Sequence, residues 1–493
     1  MGREFTMLFN SHLYIFVFLP LTAFVYFSLN RMNLPPWRQV ILSAASLAFY
    51  GWVHPAYVAL LLGSISFNYL LASFIIRQRE RGAPSFKSFF LTLGISVDIL
   101  LLCYFKYADF FISNANMVGG LQIPLLHVIL PAGVSFFTLN QIGYLLDSFR
   151  GKIGAHHFLS HLQFVSFFPY ILAGPVVRYE EVVPQLTNPK NGSFDYANAG
   201  QGVFLFFIGL FKKVVFADTL AVWANNGFDN GAALNLVEAW VTSLSYTLQL
   251  YFDFSGYTDM ALGSALIFNI KLPVNFDSPY KSLNIQEFWH RWHITLGRFM
   301  RDYVYIPLGG SRVHEIRVLA NFMITFIIIG VWHGAGWTFV VWGCMHGGAM
   351  IAHRIWKRFN VTMPKPLAWF LTFNFVNGCW VLFRAKDLEE AGKVLKGMAG
   401  LNGLVLPKFA QGLAKIFSVP NVSFANPLSN INGNDMTFLT VFGLLFMSVT
   451  LRNSTQMAQG FKPSLLRLSF LAAAATLSIL FLGRHSEFLY FRF

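Results

Sequence analysis

Long apolar stretches separated by short polar segments follow one another along nearly the whole chain. A transmembrane helix needs about 20 predominantly apolar residues, and many of these stretches approach that length. The predicted spans are residues 13–29, 40–53 with 56–76, 89–111, 122–146, 201–222, 237–252, 319–332, 337–352, 367–384, 437–452 and 466–483. The pattern predicts an all-α polytopic integral membrane protein with about 11–13 membrane-embedded helices.

Two of the apolar stretches contain prolines and glycines that interrupt a helix, namely LPAGVSFF (130–137) and FFPYILAGPVV (167–177). Irregular backbone at membrane depth is tolerated only where it is buried in protein or lines a water-filled cavity. We therefore expect some tilted or re-entrant helices around a cavity, and not a simple bundle.

Composition supports a membrane protein. The 493 residues are 55% hydrophobic and only 12% charged, whereas a soluble domain carries about 25% charged residues. The net charge of +14 does not indicate a nucleic-acid partner, because Lys and Arg gather in the cytoplasmic loops of membrane proteins. The basic segment RQRERGAPSFK (77–87) is placed in the cytoplasm for this reason.

The chain is interpreted as one membrane-embedded domain over residues 1–493, with its motifs in a core of approximately 90–390. The first apolar run is predicted to be a retained transmembrane helix. Residues 391–493 are expected to hold an exposed loop, 400–436, and C-terminal helices. Three dispersed cysteines support neither a disulfide framework nor a Cys-x-x-Cys metal site.

The segment EFWHRWHITLGRFMRDY (287–303) combines histidines with Arg291, Arg298 and Arg301. His290 and His293 are three residues apart, so they are neighbours on a helix face. One interpretation is an interfacial helix anchored by Trp and Arg. The other is a basic face that meets a phosphate-bearing donor, with His293 directed into a cavity.

The stretch IIIGVWHGAGWTFVVWGCMHGG (327–348) keeps two histidines in an apolar context, where ionisable groups are rare and usually functional. His333 lies at a Gly-Ala-Gly break that leaves room for a substrate, and a neutral imidazole there can act as general base. Packing against a carbonyl is the alternative. His346, which precedes two glycines, is predicted to be a packing or cavity-lining residue.

A zinc site remains a weaker alternative for the histidines of these two segments. It would use His290, His293, His333 and His346. No carboxylate or cysteine stands at metal-ligand spacing among them, so no metal is predicted.

The stretch LYFDFSGYTDMALG (250–263) places two acids in an apolar run. Asp253 and Asp259 are interpreted as cavity-lining or helix-packing residues. Ser255 is a poor candidate nucleophile, since it is not part of a Gly-x-Ser-x-Gly elbow.

Taken together, these motifs resemble the membrane-bound O-acyltransferase (MBOAT) family. The resemblance extends to the bacterial polysaccharide O-acetyltransferases, among them the alginate O-acetylase membrane protein. The segments that carry it are YFKYADFF (104–111), LPAGVSFFTLNQIGYLLDSFRG (130–151), FFPYILAGPVVRY (167–179), YFDFSGYTDMALG (251–263), NFDSPYKSLNIQEFWHRWHITLGRFMRDYVYIPLGG (275–310), GVWHGAGWTFVVWGCMHG (330–347) and CWVLFRA (379–385).

The resemblance implies a site. In the motif Trp-His-Gly, His333 corresponds to the catalytic histidine of the family, and in Arg-Trp-His, His293 is its partner. His290 stands where relatives commonly carry an arginine, so the role of that basic side chain does not transfer. The implied fold is a ring of tilted helices around a central funnel with the histidines at its narrow point.

The resemblance also implies an activity. An acetyl group passes from a cytoplasmic donor, acetyl-CoA, across the bacterial inner membrane to an exported polysaccharide such as alginate. Acetyl-CoA is a substrate here, and no permanently bound cofactor is expected. Periplasmic or membrane-anchored acetyltransferase proteins, membrane lipid and the polysaccharide are the expected partners. The alternatives are D-alanyl transfer to teichoic acid and a non-enzymatic transporter of an anion or glycan precursor.

Overall fold

The computed structural model describes residues 7–32, 34–53, 55–82, 84–408, 411, 422–460, 464–483 and 488–489. Within these residues the regular secondary structure is helical, apart from one pair of three-residue strands, and irregular segments connect the helices. The all-α prediction is therefore confirmed.

The helices vary in length from single turns to a helix of 32 residues. In chain order the α-helices are α1 Leu19–Arg31, α2 Pro35–Val53, α3 Val58–Glu80, α4 Pro84–Leu102, α5 Ala108–Gly119, α6 Val134–Phe149, α7 Phe158–Ser166, α8 Tyr179–Thr187, α9 Tyr196–Phe211, α10 Asp218–Asp229, α11 Leu236–Ile267, α12 Ile285–Arg291, α13 Ile294–Met300, α14 Glu315–His333, α15 Trp337–Trp356, α16 Lys365–Arg384, α17 Leu388–Met398, α18 Asp435–Thr450, α19 Ser454–Ala458 and α20 Leu465–Phe481. The π-helical turns are Tyr14–Phe18, Cys103–Tyr107, Lys212–Ala217 and Arg301–Tyr305, and the 3₁₀ turns are Pro55–Tyr57, Pro189–Gly192, Pro279–Lys281, Lys357–Phe359 and Ser429–Ile431.

Several helices are suited to a membrane by length and composition. Among the described residues, the segments long and apolar enough to cross a bilayer are Tyr14–Arg31, Pro55–Glu80, Ser85–Gly119, Glu315–His333 and Lys365–Arg384. Helices α18 and α20 are apolar but shorter. These segments fit a polytopic membrane protein, while the total of about 11–13 embedded helices stays a prediction.

Helix α11 forms the centre of the molecule, and almost all of its residues are buried. It packs closely on α9, because glycines on both helices leave no side chain between the backbones. A Cβ added at Gly209 would lie 2.5 Å from the main-chain oxygen of Gly256. The predicted span 237–252 stops too early, since α11 continues to Ile267. Asp253 and Asp259 do not interrupt it, because lysines neutralise both carboxylates.

The predicted interruptions are confirmed in both segments. Residues 167–177 contain no helix and are buried throughout. The predicted span 122–146 is helical only from Val134 onwards, because Pro124, Pro131 and Gly133 precede it. Gly133 has a φ of 72°, and a Cβ there would lie 2.3 Å from the main-chain oxygen of Ile171. The two irregular segments therefore pack directly against each other.

The segment 400–436 is not an exposed loop throughout, which corrects the prediction. Residues 409, 410 and 412–421 lie outside the described part. The remainder includes β1 Leu404–Leu406 and β2 Val422–Phe424, which pair in parallel. Leu428 and Ile431 are buried, and the main-chain N–H of Asn430 donates to Glu238 at 2.8 Å. A carboxylate in the first turn of α11 thus holds the segment against the core.

Candidate functional site

His333 is the final residue of α14 and is only 5% exposed. The helix ends there because Gly334 adopts an extended conformation, and α15 starts three residues later at Trp337. The imidazole therefore lies at a buried junction between two helices, as the Gly-Ala-Gly break predicted.

A lysine from another helix stabilises this helix end. Lys106, in the π-helical turn after α4, donates to the main-chain oxygens of Trp332 at 2.6 Å and His333 at 2.8 Å. The Tyr107 hydroxyl donates to the oxygen of Val331 at 2.6 Å. The last carbonyls of a helix have no partner within the helix and carry partial negative charge, so a cation suits them. Sequence reasoning assigned no role to Lys106, although a lone lysine in an apolar run is itself a functional signal.

His293 lies at the sharp turn between α12 and α13 and is 1% exposed. Its φ of 44° places it in the left-handed region, which costs a non-glycine residue about 1–2 kcal/mol. Such strain persists where the surroundings hold it, commonly at functional sites. His293 Nδ1 lies 3.1 Å from Oδ1 of Asn275. Asn275 is the first residue of the segment 275–310 quoted above, but no role was predicted for it, because the local sequence does not reveal the partner of an Asn in a loop.

The fold brings the two predicted site residues together. The ring centroids of His293 and His333 are 6.4 Å apart, although 40 positions separate the residues in sequence. Aromatic rings enclose the pair: Phe254 lies 4.8 Å from His293, and Phe383 lies 5.1 Å from His333. Trp332 contacts both imidazoles. The surroundings are therefore largely apolar, which strengthens the electrostatic interactions made inside them.

His346 is buried beside this pair, behind the ring of Trp342. That ring is 4.7 Å from His346 and 5.5 Å from His333. Trp289 Nε1–H donates to His346 Nδ1 at 3.3 Å. The contacts of His346 are thus aromatic packing and one indole hydrogen bond, as predicted for a packing residue.

His290 has a different position. Its side chain is exposed on α12, so the fold does not bring it to the other histidines. Within the described residues, no group of three or more His, Cys, Asp or Glu side chains is arranged to hold a metal ion.

The two acids of α11 form buried ion pairs. Lys213 lies 2.6 Å from Asp253 and 2.9 Å from Asp218, and Lys212 lies 2.6 Å from Asp259. These contacts support the helix-packing interpretation of the acids. Lys212 Nζ also donates to Ser255 at 3.4 Å, a weak contact that gives no activation of a nucleophile.

The arginines that follow His290 also have acidic partners. Arg298 donates to Glu181 at 2.9 Å, and Arg291 lies 2.9 Å from Glu287. Asp302 pairs with Arg178 and Arg301. Partial burial would raise the pKa of Asp302, but the two guanidinium groups outweigh it and lower that pKa.

These pairs reduce the net positive charge of the segment. The arginines alone would suggest a strongly cationic patch, whereas each of the three from 287–303 is balanced by a neighbouring carboxylate. Any attraction of an anionic donor is correspondingly weaker.

The arrangement of His293 and His333 suits proton transfer at an alcohol. Imidazole is the side chain most often used as general acid or base. The two imidazoles are close enough for both to contact one reactant at this junction, with ring centroids 6.4 Å apart. No residue of the described part is assigned to cofactor binding.

Comparison with known proteins identifies the family. The model of the membrane-bound O-acyltransferase family (MBOAT) matches residues 135–385. A peptidoglycan O-acetyltransferase of Helicobacter pylori is 44% identical, and the match covers all of this chain and 98% of that protein. A probable alginate O-acetylase of Pseudomonas aeruginosa is 37% identical over 80% of this chain and 75% of its own. A teichoic acid D-alanyltransferase of Bacillus subtilis is 27% identical over 52% of this chain and 69% of its own.

Proposed function

Because the chain belongs to the membrane-bound O-acyltransferase family and is thus a membrane acyltransferase, we propose that it O-acetylates a bacterial polysaccharide, with peptidoglycan as the final acceptor. The buried pair of His293 and His333 at a helix junction is the observation that supports acyl transfer. The full-length similarity to a peptidoglycan O-acetyltransferase supports the acceptor.

This acceptor differs from alginate, the polysaccharide that the resemblance implied. The relatives described as probable alginate O-acetylases match 80% of the chain. The peptidoglycan relative matches all of it at higher identity. We therefore rank peptidoglycan above alginate. D-alanyl transfer to teichoic acid has less support, because those relatives match only about half of the chain. Membership of an acyltransferase family sets the transporter hypothesis aside.

The proposed donor is a cytoplasmic thioester, acetyl-CoA. The alcohol oxygen attacks the thioester carbonyl, the new C–O bond forms and the C–S bond breaks. His333 accepts the hydroxyl proton as general base and returns it to the departing thiolate. His293 lies across the site and positions one of the reactants.

The remaining parts of the proposal concern location and partners. The enzyme lies in the bacterial inner membrane and takes the acetyl group from the cytoplasm to an extracytoplasmic hydroxyl. A periplasmic or membrane-anchored acetyltransferase then completes transfer to the polymer.

The test is His333→Ala, produced in a strain that lacks the wild-type gene. We expect turnover to fall by about 10²–10⁴-fold, so that base-labile acetate on purified peptidoglycan falls to the level of the deletion strain. Immunoblots of membranes check that the protein is present in normal amounts. His290→Ala is the matched control, because this side chain is exposed. Wild-type acetylation by His333→Ala at normal protein levels would refute the assignment.

The acceptor has its own test. NMR of peptidoglycan and of exopolysaccharide from wild-type and deletion strains measures the acetyl content of each polymer. We expect the loss in peptidoglycan. A loss confined to an exopolysaccharide would contradict the proposed acceptor and leave acyl transfer itself intact.

A further inference from the structure

The side chain of Asn275 contacts both the imidazole of His293 and the main chain of the turn that follows it. Asn275 is fully buried on the extended segment between α11 and α12. Its main-chain oxygen accepts from the N–H of Ile294 at 3.0 Å, and its side chain reaches the first turn of α13. There Oδ1 contacts Thr295 N at 3.2 Å, Thr295 Oγ1 at 2.9 Å and His293 Nδ1 at 3.1 Å.

The main chain decides which atom of the Asn275 amide faces this turn. A main-chain N–H can only donate, so the atom opposite Thr295 N must be the amide oxygen. The Thr295 hydroxyl supports the same orientation. It accepts from Val176 N–H at 2.9 Å and donates its own proton to Asn275 Oδ1 at 2.9 Å. The main-chain N–H of Thr295 thus fixes the orientation of the Asn275 amide.

The same oxygen determines where His293 carries its proton. An amide oxygen has no proton to give, so the contact at 3.1 Å requires a proton on Nδ1 of His293. The amide is uncharged and brings no carboxylate to balance an imidazolium at this buried position. In the neutral ring, Nε2 then carries no proton and can only accept a hydrogen bond.

We infer that Asn275 is a positioning residue that fixes His293 with its proton on Nδ1, so that His293 binds the acceptor hydroxyl and not the acyl donor. An Nε2 without a proton accepts hydrogen bonds and cannot donate them. The carbonyl oxygen and sulfur of a thioester have no proton to offer, whereas an alcohol does. This inference rests on the proposed acyl transfer for the identity of the two reactants, and it decides which of them His293 contacts.

The tautomer can be measured without turnover. The full chain is labelled with ¹⁵N-histidine and reconstituted in nanodiscs, and the His293 signals are assigned by their loss in His293→Gln. We expect the wild-type spectrum to show a protonated Nδ1 and an unprotonated Nε2 for His293. A proton on Nε2 with an unprotonated Nδ1 would overturn the inference, and so would a ring protonated at both nitrogens.

Variants of Asn275 test its role. In Asn275→Leu we expect the Nε2-protonated form of His293 to appear and acetylation per molecule to fall about tenfold or more. Asn275→Asp keeps an acceptor oxygen, so Nδ1 should stay protonated. Asn377→Leu is the matched control, because Asn377 is equally buried but bonds Ser243 and Thr247. Unchanged His293 signals in Asn275→Leu would refute the positioning role. If this variant does not fold, the wild-type spectrum still decides the tautomer.

Donor binding separates the inference from the proposed function. We expect His293→Gln to bind acetyl-CoA with a Kd within about twofold of wild type, measured by thermophoresis, since His293 faces the alcohol. A Kd raised more than about tenfold would place His293 on the donor and overturn the inference. If the wild-type protein does not bind acetyl-CoA, the proposed donor is wrong, while the tautomer measured by NMR stands or falls separately.

Discussion

Two buried regions of the protein stabilise their polar side chains with different partners. The ion-pair region, Lys212, Lys213, Asp218, Asp253 and Asp259, joins a π-helical turn to the adjoining helices α10 and α11. The histidine region, His293 and His333 with Asn275 and Lys106, lies at a helix end and a tight turn.

The difference indicates which region is built for stability and which for chemistry. In the ion-pair region each lysine is matched by carboxylates on a neighbouring helix, so the charges hold helices together. In the histidine region, backbone oxygens and an amide hold the parts in place, and one residue has a strained φ of 44°. Strain and neutral imidazoles are features of sites that bind and react.

The largest effect that would sharpen this comparison is expected for Lys213→Met. The substitution leaves Asp218 and Asp253 buried without their cation, which costs about 3–5 kcal/mol. We expect a several-fold loss of folded protein in membranes, measured by fluorescence-detected size-exclusion chromatography, while the remaining molecules turn over normally.

Lys386→Met is the control for this variant, because the ion pair of Lys386 with Asp229 is largely exposed and worth less than about 1 kcal/mol. If Lys213→Met accumulated normally but lost turnover, the ion-pair region would belong to the chemistry and the comparison would fail.

A smaller effect is expected for His346→Phe. Phenylalanine keeps the aromatic packing against Trp342 but removes the acceptor for Trp289 Nε1–H, which costs about 1–3 kcal/mol. We expect a lower Tm in detergent. Acetylation should stay within about threefold of wild type, since an aromatic ring at this position leaves His293 and His333 in place. A loss as large as that of His333→Ala would show that His346 belongs with the reacting pair.

The smallest effect is expected for His290→Ala. The side chain is exposed, and surface substitutions usually change stability by less than about 0.5 kcal/mol. Thermal unfolding and acetylation should both match wild type. A clear loss of acetylation with unchanged Tm would indicate that His290 contacts a reactant or a partner protein.

The sequence was informative where the evidence is local. The apolar stretches predicted the helices, and the Pro and Gly residues of 130–137 and 167–177 predicted the interruptions. The hydropathy pattern ended α11 too early, because charged residues such as Asp253 and Asp259 normally end a predicted span. Their lysine partners, which neutralise them, are known only from the structure. The exposed loop predicted for 400–436 is wrong in part for a similar reason, since the contact of Asn430 with Glu238 joins segments nearly 200 residues apart.

The candidate site shows the same division. The sequence by itself determined that His333 ends an apolar helix at a glycine break. The prediction that His290 and His293 share a helix face is wrong, because α12 ends at Arg291 and His293 lies in the turn that follows. Only the tertiary structure decided that His293 approaches His333 while His290 faces outwards, and that Lys106 and Asn275 hold the two histidines. Helix propensity and burial depend on residues within a few turns, whereas a hydrogen bond across the fold depends on how distant segments pack. No local pattern records such a contact, so only the folded chain reveals it.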